Sequence, residues 1–280
     1  MKVLVTGITG QLGFDVVNEL NRRNIDTIAA ARKDFDLTDE LSIANFIKAH
    51  KPDAVIHCAA YTAVDKAEDE PELAMKVNGT ATETIAKVCR EINAKMIYIS
   101  TDYVFPGDGD TPYEVNDKKN PPNAYGQSKL AGENAVINNL KKYFIVRISW
   151  VFGVNGKNFV KTMLRLSETK DKLTVVSDQI GSPTYTADLA PLLVDMVQTD
   201  KYGIYHATNE GFCSWAEFAA EIFRQSGAKT EVIPVPSSEY PTKAVRPKNS
   251  RLSKQSLDSA GFKRLPNWQD AVKRYLNERT

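Results

Sequence analysis

A tyrosine and a lysine stand four residues apart in this chain, as Tyr125 and Lys129. Residues at this spacing share one face of a helix, so the two side chains are expected to lie side by side. An ammonium group beside a phenol favours the phenolate and lowers the pKa of the phenol. A tyrosine of this kind can protonate a carbonyl oxygen while a hydride reaches the carbonyl carbon. The alternative is a solvated helix pair, because a lone Tyr-x-x-x-Lys spacing often arises by chance.

Three glycines follow the first apolar run of the chain, at Gly7, Gly10 and Gly13. Residues 2–6 have strand character, and an amphipathic helical pattern begins at Leu12. Small residues at such a turn let the backbone approach a pyrophosphate, which the free amides of the helix N-terminus bind. The spacing departs from the Gly-x-Gly-x-x-Gly of the commoner dinucleotide fingerprint. A tight strand–helix turn without a ligand is the alternative.

The end of the second predicted strand indicates which dinucleotide would bind. Arg32 and Lys33 follow this strand, and no carboxylate appears there before Asp34. An acidic residue would bond the ribose 2′-hydroxyl, whereas a basic residue accepts a 2′-phosphate. We therefore predict NADPH, with Arg32 binding the 2′-phosphate through two hydrogen bonds; solvated surface cations are the alternative. Asp36 either reaches the adenine amino group or caps the next helix.

Hydroxyl groups end the fourth predicted strand, at Ser100 and Thr101. Ligands of open parallel sheets collect outside the carboxyl ends of the strands. Either hydroxyl can bond a substrate carbonyl oxygen and, with a tyrosine, stabilise the charge that develops on it. The alternative is a hydroxyl that only satisfies the backbone. The small residues Ala59 and Ala60 trail the third strand, which suits either a nearby cofactor or tight helix–sheet packing.

The elements that position these residues alternate in the first half of the chain. Near-continuously apolar strands separated by helical patterns indicate a parallel sheet covered on both faces. The predicted strands are residues 2–6, 25–31, 53–57, 95–99 and 144–148, and the predicted helices, after the one at Leu12, are residues 41–49, 73–92 and 124–138.

The second half of the chain is less regular. Residues 234–241 are rich in proline and serine and indicate a loop. Ser214 and Glu217 match a capping box that opens a helix through Phe223. Residues 268–276 indicate a closing helix. The two halves are predicted to pack as one unit with a cleft between them.

The composition excludes several classes of protein. The 280 residues are 42% hydrophobic and 25% charged, which is ordinary for a globular protein, and a net charge of +1 gives no basis for binding nucleic acid or an anionic membrane. No apolar run approaches the roughly 20 residues of a membrane helix, and the N-terminus reaches Gly7 too early for a signal peptide. Cys58, Cys89 and Cys213 are predicted to be buried thiols in a reducing cytoplasm. The three histidines lack the spacing of zinc ligands.

Several stretches, in this order along the chain, resemble the extended short-chain dehydrogenase/reductase superfamily and, more closely, its dTDP-4-dehydrorhamnose reductase family. They include the glycine turn and residues 60–68, 100–105 and 125–133. Residues 147–151, 178–184 and 246–252 matter most, because the superfamily in general does not share them.

The resemblance implies an α/β fold, namely a Rossmann-type doubly wound parallel sheet with a smaller C-terminal α+β substrate domain. Residues 1–150 are predicted to form the NAD(P)-binding Rossmann domain. An open alternative is that segments within about residues 170–200 also belong to this domain. Residues 151–280 are predicted to form mainly the sugar-nucleotide substrate domain.

The implied activity is the NADPH-dependent reduction of dTDP-4-dehydro-6-deoxy-L-mannose to dTDP-L-rhamnose, a polysaccharide precursor, with NADH as a substitute cofactor. By position, Tyr125 protonates the sugar C4 oxygen, Lys129 holds the nicotinamide ribose and Thr101 orients the keto group. The implied cofactor-binding residues are Gly7, Gly10, Gln11, Leu12, Gly13, Arg32, Asp36, Leu37, Ala59, Ala60, Tyr61, Tyr125 and Lys129. The implied substrate-binding residues are Thr101, Asp102, Trp150, Arg246 and Asn249. Trp150 also fits a core position.

Some members of the family dimerise around a magnesium ion held by glutamates. Asp15 stands where one of these glutamates is expected, and aspartate is a shorter ligand. Magnesium is therefore not predicted, and a homodimer stays open. Two other functions also stay open: a nucleotide-sugar epimerase, which keeps its NAD bound, and a non-catalytic NADP-binding regulatory subunit, against which the intact Thr101, Tyr125 and Lys129 argue.

Overall fold

The computed structural model describes residues 1–278. The strands are β1 (Lys2–Thr6), β2 (Asp26–Ala30), β3 (Ala54–His57), β4 (Lys95–Thr101), β5 (Tyr143–Ile148), β6 (Val151–Phe152), β7 (Lys172–Val176), β8 (Ile180–Gly181), β9 (Thr184–Tyr185), β10 (Gly203–His206), β11 (Cys213–Ser214) and β12 (Glu231–Val235). The helices are α1 (Gln11–Arg22), α2 (Glu40–His50), α3 (Val64–Ala67), α4 (Pro71–Met75), α5 (Ala81–Glu91), α6 (Ala124–Asn139), α7 (Phe159–Ser167), α8 (Thr186–Val197), α9 (Trp215–Ser226), α10 (Gln255–Ala260) and α11 (Trp268–Glu278). A π-helical turn, Lys76–Thr80, joins α4 to α5, and 3₁₀ turns cover Asp102–Val104 and Ser237–Glu239.

Six strands form one parallel sheet in the order β10-β5-β4-β3-β1-β2. Successive residues of a strand point to opposite faces of a sheet, and both faces are covered here. Val3 and Val5 of β1 lie in the hydrophobic core shared with α1 and α8, whereas Leu4 lies in the core shared with α2, α5 and α6. Burial on both faces accounts for the near-continuous apolar strands, and the predicted Rossmann-type α/β fold is confirmed.

The strand order reverses at β1, which has β2 on one side and β3 on the other. In sheets of this kind a ligand binds in the crevice outside the carboxyl ends at the reversal point. The expected crevice therefore lies beside Gly7, which follows β1, and beside residues 58–60, which follow β3.

All five predicted strands are present, with ends displaced by at most two residues. The sequence does not predict β10, because a four-residue run that begins with Gly203 carries no clear strand pattern. The predicted helix over residues 73–92 consists of α4, the π turn and α5.

The predicted loop over residues 234–241 is wrong at its first two positions. Pro234 and Val235 end β12, which pairs in parallel with β7. Proline is tolerated there because a two-stranded sheet leaves one edge of the strand unpaired.

The second half of the chain contributes two elements to the sheet layers, since α8 packs against α1 and β10 pairs with β5. Other elements of this half surround a separate core that includes Phe152, Phe218 and Tyr275. The predicted capping box at Ser214 and Glu217 is confirmed, with both reciprocal hydrogen bonds present. The domain boundary at residue 150 stays a prediction, and the last two residues of the region 151–280 lie outside the described residues.

Two expectations about the chain as a whole can be compared with the structure. Cys89 and Cys213 are buried free thiols, but Cys58 is partly exposed, so the prediction of three buried thiols is wrong for Cys58. Among residues 1–278, no helix has both the length and the apolar composition needed to cross a bilayer.

Candidate active site

The glycine turn between β1 and α1 is closely packed. The Gly10 amide donates to the Gly7 carbonyl over 2.9 Å, and Gly7 has a left-handed φ of 71°. A Cβ atom on Gly13 would lie 2.4 Å from the Gly7 oxygen, and one on Gly7 would lie 2.7 Å from the Ala59 nitrogen. No described side chain caps the first amides of α1. The turn therefore leaves both space and hydrogen-bond donors for an anion.

Gln11 and Leu12 open α1 directly after this turn. The Gln11 side chain accepts a hydrogen bond from the Asn158 amide over 3.0 Å, which joins the turn to the second half of the chain. The Leu12 side chain is buried in the core, so only its backbone faces a ligand at the turn.

The loop after β3 is fixed from two directions. The Thr6 hydroxyl contacts His57 Nδ1 at 2.8 Å and accepts from the Ala59 amide over 3.2 Å. Tyr61 donates its amide to Asn78 Oδ1 over 2.8 Å and accepts from Asn78 Nδ2 over 3.0 Å. Asn78, which the sequence analysis does not single out, lies in the π-helical turn. Such turns are frequent at functional sites.

Two of the predicted cofactor residues after β2, Arg32 and Asp36, lie on the surface. Arg32 is exposed, and Leu37 packs partly against the core. The amide of Thr38 donates to Asp36 Oδ1 over 2.8 Å; hydrogen bonds with Thr38 lower the pKa of Asp36, and the charge of Arg32 adds a smaller effect. Asp39, rather than Asp36, caps α2 by accepting from two amides of its first turn. The capping alternative for Asp36 is therefore wrong.

Helix α6 carries Tyr125 and Lys129 one turn apart, as predicted. Lys129 is 2% exposed. Its Nζ donates to the Ile99 carbonyl over 2.7 Å and lies 4.1 Å from the centre of the Tyr98 ring. Burial lowers the pKa of Lys129 to about 7, against the opposing effect of the Glu133 carboxylate.

Tyr125 is half-buried, and its ring meets that of Tyr103 edge to face with 5.5 Å between the centroids. Burial raises the pKa of Tyr125 well above its ordinary value; the charge of Asp102 adds to the rise, and a hydrogen bond with Thr101 opposes it. The expectation that Lys129 lowers this pKa is wrong, because burial dominates and the ammonium is bonded elsewhere. A phenol with a raised pKa stays protonated at neutral pH, which is the form that a proton donor needs.

The structure separates the two hydroxyls that end β4. Ser100 Oγ donates to Glu133 Oε1 over 2.6 Å, so it faces the interior of the sheet–helix layer. Thr101 Oγ1 donates to Asp102 Oδ1 over 2.9 Å and lies near the hydroxyl of Tyr125. Of the two alternatives, only Thr101 adjoins the candidate acid.

Asp102 is a buried carboxylate, 4% exposed. Within residues 1–278, its Oδ2 atom has no hydrogen bond of ordinary geometry. Burial raises the pKa of Asp102 to about 6, and the nearby hydroxyls of Ser250 and Thr101 act in the opposite direction. A buried oxygen without a donor is costly, so Oδ2 is suited to a hydroxyl group of a ligand.

Three residues that are not among the predicted site residues support this site, namely Gly126, Glu133 and Arg147. A Cβ atom on Gly126 would lie 2.3 Å from the Tyr103 carbonyl oxygen, so α6 begins in direct contact with the turn that follows Thr101. Glu133 and Arg147 form a buried ion pair of 2.7 Å. Two features of the sequence could have indicated them. One is the glycine directly after the candidate acid Tyr125, and the other is the charged Arg147 inside an apolar strand.

Trp150 follows β5 with a left-handed φ of 48°. Its indole stacks on that of Trp215, with 3.8 Å between ring centroids and 15° between planes.

Arg246, another predicted substrate-binding residue, donates through Nη1 to Tyr103 Oη over 3.3 Å and through Nη2 to Asp65 Oδ2 over 2.6 Å. The structure therefore brings Arg246 to the Tyr103 side of the site.

Asn249 is 2% exposed, and its side-chain amide is already bonded. It donates to the carbonyls of Asp108 and Thr111 over 3.2 and 2.8 Å. Its Oδ1 accepts from the amide of Arg251 over 3.2 Å. The structure thus places Asn249 in support of a loop, and a contact with substrate would require these hydrogen bonds to be exchanged.

A metal site needs several ligating side chains close together. Residues 1–278 contain no group of three or more His, Cys, Asp or Glu side chains placed to hold a metal ion. Asp15 is nearly buried, and burial raises its pKa. A single carboxylate is not a metal site, so Asp15 by itself does not support magnesium binding.

A dinucleotide, in contrast, fits the residues present. The glycine turn is a cradle that a Cβ atom would fill, and the start of α1 offers free amides. Exposed Arg32 lies at the end of β2, one strand away from the turn, where a 2′-phosphate is expected. In its ammonium form, the buried Lys129 has three donors, one of which bonds Ile99.

Comparison with known proteins gives full-length matches. The RmlD substrate binding domain family matches residues 1–280. The spore coat polysaccharide biosynthesis protein SpsK of Bacillus subtilis is 43% identical, over 100% of this chain and 98% of its own. The dTDP-4-dehydrorhamnose reductase of Salmonella typhimurium is 41% identical, over 99% of this chain and 98% of its own. The crystal structure of the Bacillus anthracis dTDP-4-dehydrorhamnose reductase in complex with NADP is 42% identical and superposes with a TM-score of 0.96, covering 99% of both chains.

Proposed function

The chain belongs to the RmlD substrate binding domain family, and from this premise we propose that it reduces dTDP-4-dehydro-6-deoxy-L-mannose to dTDP-L-rhamnose with NADPH. Relatives named dTDP-4-dehydrorhamnose reductase align over nearly the whole of both chains, and the Bacillus anthracis relative binds NADP. The product is a precursor for polysaccharide synthesis, which agrees with the name of the Bacillus subtilis relative.

The observation that carries the proposal is the position of Thr101 at the carboxyl end of β4, with the hydroxyl of Tyr125 from α6 close to its side chain. Two hydroxyls that converge at this point can both bond one carbonyl oxygen. The glycine turn lies two strands away, at the end of β1 in the same sheet. A dinucleotide bound from that turn across the sheet would bring its nicotinamide to the two hydroxyls.

NADPH, when bound, supplies the hydride that reaches the C4 carbon of the sugar. Tyr125 donates its phenolic proton to the C4 oxygen, so that one hydride and one proton convert the ketone to an alcohol. Thr101 turns its hydroxyl from Asp102 to the same oxygen and orients it. Lys129 keeps its bond to Ile99 and gives its two remaining donors to the ribose hydroxyls.

The proposed site residues follow from this arrangement. We propose Tyr125, Lys129 and Thr101 as the catalytic residues. The proposed cofactor-binding residues are Gly7, Gly10, Gln11, Leu12, Gly13, Arg32, Asp36, Leu37, Ala59, Ala60 and Tyr61, besides Tyr125 and Lys129. The proposed substrate-binding residues are Asp102, Trp150 and Arg246 with Thr101, and Asn249 supports them through its loop contacts. The preference for NADPH over NADH is assigned to Arg32.

The decisive experiment mixes the protein with dTDP-4-dehydro-6-deoxy-L-mannose and NADPH. We expect one equivalent of reduced-nicotinamide absorbance to disappear for each sugar consumed, and the NMR spectrum of the product to show dTDP-L-rhamnose. Tyr125→Phe, which keeps the ring and removes the proton donor, should lower kcat about 10²–10⁴-fold while NADPH still binds. Unchanged absorbance with an altered sugar would indicate an epimerase, and NADP binding without turnover would indicate a regulatory subunit.

A further inference from the structure

Trp150 has a backbone conformation that bulky residues rarely adopt. Its φ of 48° lies in the left-handed region, which costs a non-glycine residue free energy. Such a conformation persists only where the surroundings hold the residue firmly, and it is frequent in ligand sites. The surroundings of Trp150 therefore show what the strained conformation is for.

Two neighbours confine the indole of Trp150. Trp215 covers one face, with the rings nearly parallel and 3.8 Å between centroids. Gly181 lies against the ring edge, since a Cβ atom there would lie 2.9 Å from Trp150 Cε2 and 3.0 Å from Cζ2. Any side chain at position 181 would push the indole aside. Close packing against Trp150 thus explains why glycine stands at position 181, within the stretch of residues 178–184 that resembles the family.

Trp215 is itself firmly held. It is the first residue of α9 and lies within the capping box, in which Ser214 donates its amide to the Glu217 carboxylate over 2.6 Å and the Glu217 amide donates to Ser214 Oγ over 3.1 Å. β11 pairs Ser214 with Ile180 in the antiparallel β8–β11 ladder, so the two elements that confine Trp150 are joined to each other. Trp215 also packs on Phe159, with 4.7 Å between centroids.

The stacked pair lies beside the proposed substrate site. The Cβ atom of Ser250 is 3.0 Å from the position of a Cβ on Gly181, and the Ser250 hydroxyl lies near Asp102, which follows Thr101. An indole with one face covered presents its remaining surface to a ligand. A deoxyhexose offers such a surface an apolar face and a methyl group, while its hydroxyls face polar groups such as Asp102 Oδ2.

We propose that Trp215 is a positioning residue of the sugar site, which holds the strained Trp150 indole as the surface that packs on the hexose ring of the substrate. The inference rests on the proposed function, because it requires Trp150 to contact the sugar nucleotide. Trp150 makes this contact in the ground state and the transition state alike. Loss of Trp215 should therefore raise KM for the sugar nucleotide and leave kcat and the KM for NADPH nearly unchanged.

The stacking can be tested without substrate, because the chain has three tryptophans. Trp268→Phe leaves Trp150 and Trp215 as the only indoles. Parallel indoles at this distance couple, so the circular dichroism of Trp268→Phe should show a paired exciton band. The band should vanish when either Trp215→Phe or Trp150→Phe is added. Its absence from Trp268→Phe would overturn the proposal.

Steady-state kinetics with the sugar nucleotide and NADPH test the role. Trp215→Ala should raise KM for the sugar nucleotide about 10–100-fold, as expected for a misplaced binding group. Trp215→Phe keeps a ring in place and should have a smaller effect. Trp268→Phe is the matched control, because Trp268 lies in the same core and its ring meets Phe218 instead of Trp150. Its KM values should equal those of the wild type.

A second variant guards against simple misfolding. Gly181→Ala displaces the indole from its edge and should raise the same KM while α9 and its cap stay intact. If Trp215→Ala and Gly181→Ala both melt like the wild type and keep its KM for the sugar nucleotide, the positioning role is wrong, although the reductase function stands. If the wild type fails to reduce the sugar, the proposed function fails, and this inference fails with it.

Discussion

Arg147 and Glu133 form a two-point ion pair in which both side chains are at most 1% exposed. Arg147 Nε donates to Glu133 Oε1 over 2.8 Å, and Nη2 donates to Oε2 over 2.7 Å. Ser100 Oγ donates to the same carboxylate, and Ser100 is the register partner of Arg147 across β4 and β5. The ion pair thus ties β5 to α6, the helix that carries the candidate acid, and the Ser100 bond ties β4, which ends in Thr101, to the same carboxylate.

Removing one partner of this pair should be strongly destabilising. Arg147→Met leaves the Glu133 carboxylate charged, buried and without its partner, and we expect a loss of about 3–5 kcal/mol in the free energy of unfolding. Denaturant unfolding monitored by circular dichroism measures this. Lys48→Ala is the control, because it removes an ion pair with Glu91 in which both side chains are about half exposed, and it should cost about 1 kcal/mol or less.

The double variant Glu133→Leu/Arg147→Met separates lost charge pairing from lost packing. Replacing both partners by apolar residues removes the uncompensated charge, so much of the loss should be recovered. If Arg147→Met alone costs no more than Lys48→Ala, the buried pair does not stabilise the joint between strand and helix.

The glycine turn predicts a graded response to added methyl groups. A Cβ on Gly13 would lie 2.4 Å from the Gly7 carbonyl oxygen, whereas a Cβ on Gly10 would lie 3.2 Å from it. Gly13→Ala must therefore move the backbone of the turn, and we expect its affinity for NADPH to fall about 10–100-fold, with a loss of about 1–3 kcal/mol in stability. Gly10→Ala should have a clearly smaller effect on both. Titration of each variant with NADPH measures the affinity. Equal losses of affinity for Gly13→Ala and Gly10→Ala would show that packing in the turn does not control binding.

The sequence was sufficient for the features that depend on local patterns. Apolar strands such as β1 follow from burial on both faces, and the spacing of Tyr125 and Lys129 follows from the helical repeat. The electrostatics of that pair depend on long-range packing instead. The bond from Lys129 to Ile99 and the burial of Tyr125 both arise where α6 meets β4, so spacing alone gave the wrong direction for the tyrosine pKa.

Other site features were beyond local patterns for the same reason. Ser100 and Arg147 are far apart in sequence and become partners only through the register of β4 and β5. Ser100 lies on the face of β4 that meets Glu133, which leaves Thr101 as the hydroxyl beside the candidate acid. No local motif indicates which face of the strand meets Glu133. The strained Trp150 and its partner Trp215 likewise come together only through the β8–β11 ladder.

Asp102 gives a prediction for stability against pH. Its folded pKa of about 6 lies above the ordinary value of 3.8, so between these values the folded state binds more protons than the unfolded state. The free energy of unfolding therefore falls as pH rises through this window. Asp102→Asn escapes the loss, and relative to the wild type it should gain up to about 3 kcal/mol above about pH 7 and almost nothing near pH 4.

Denaturant unfolding at several pH values measures this difference. Asp26→Asn is a suitable control, since it makes the same substitution at an exposed position at the start of β2. A difference between Asp102→Asn and the wild type that is the same near pH 4 and pH 8 would mean that the Asp102 carboxyl is not penalised by burial.

Arg32 gives the prediction that decides the choice of cofactor. Its side chain is exposed after β2, at the place where a 2′-phosphate is expected, and a bidentate guanidinium–phosphate contact is among the stronger hydrogen-bonded interactions in proteins. Arg32→Ala should lower kcat/KM with NADPH about 10–100-fold, and it should leave kcat/KM with NADH nearly unchanged because NADH lacks the phosphate. Lys33→Ala removes a neighbouring exposed charge without the planar fork, and its effect should be several times smaller. The measurement is the ratio of kcat/KM for the two cofactors in each variant. An Arg32→Ala enzyme with the wild-type ratio would place the 2′-phosphate elsewhere on the protein.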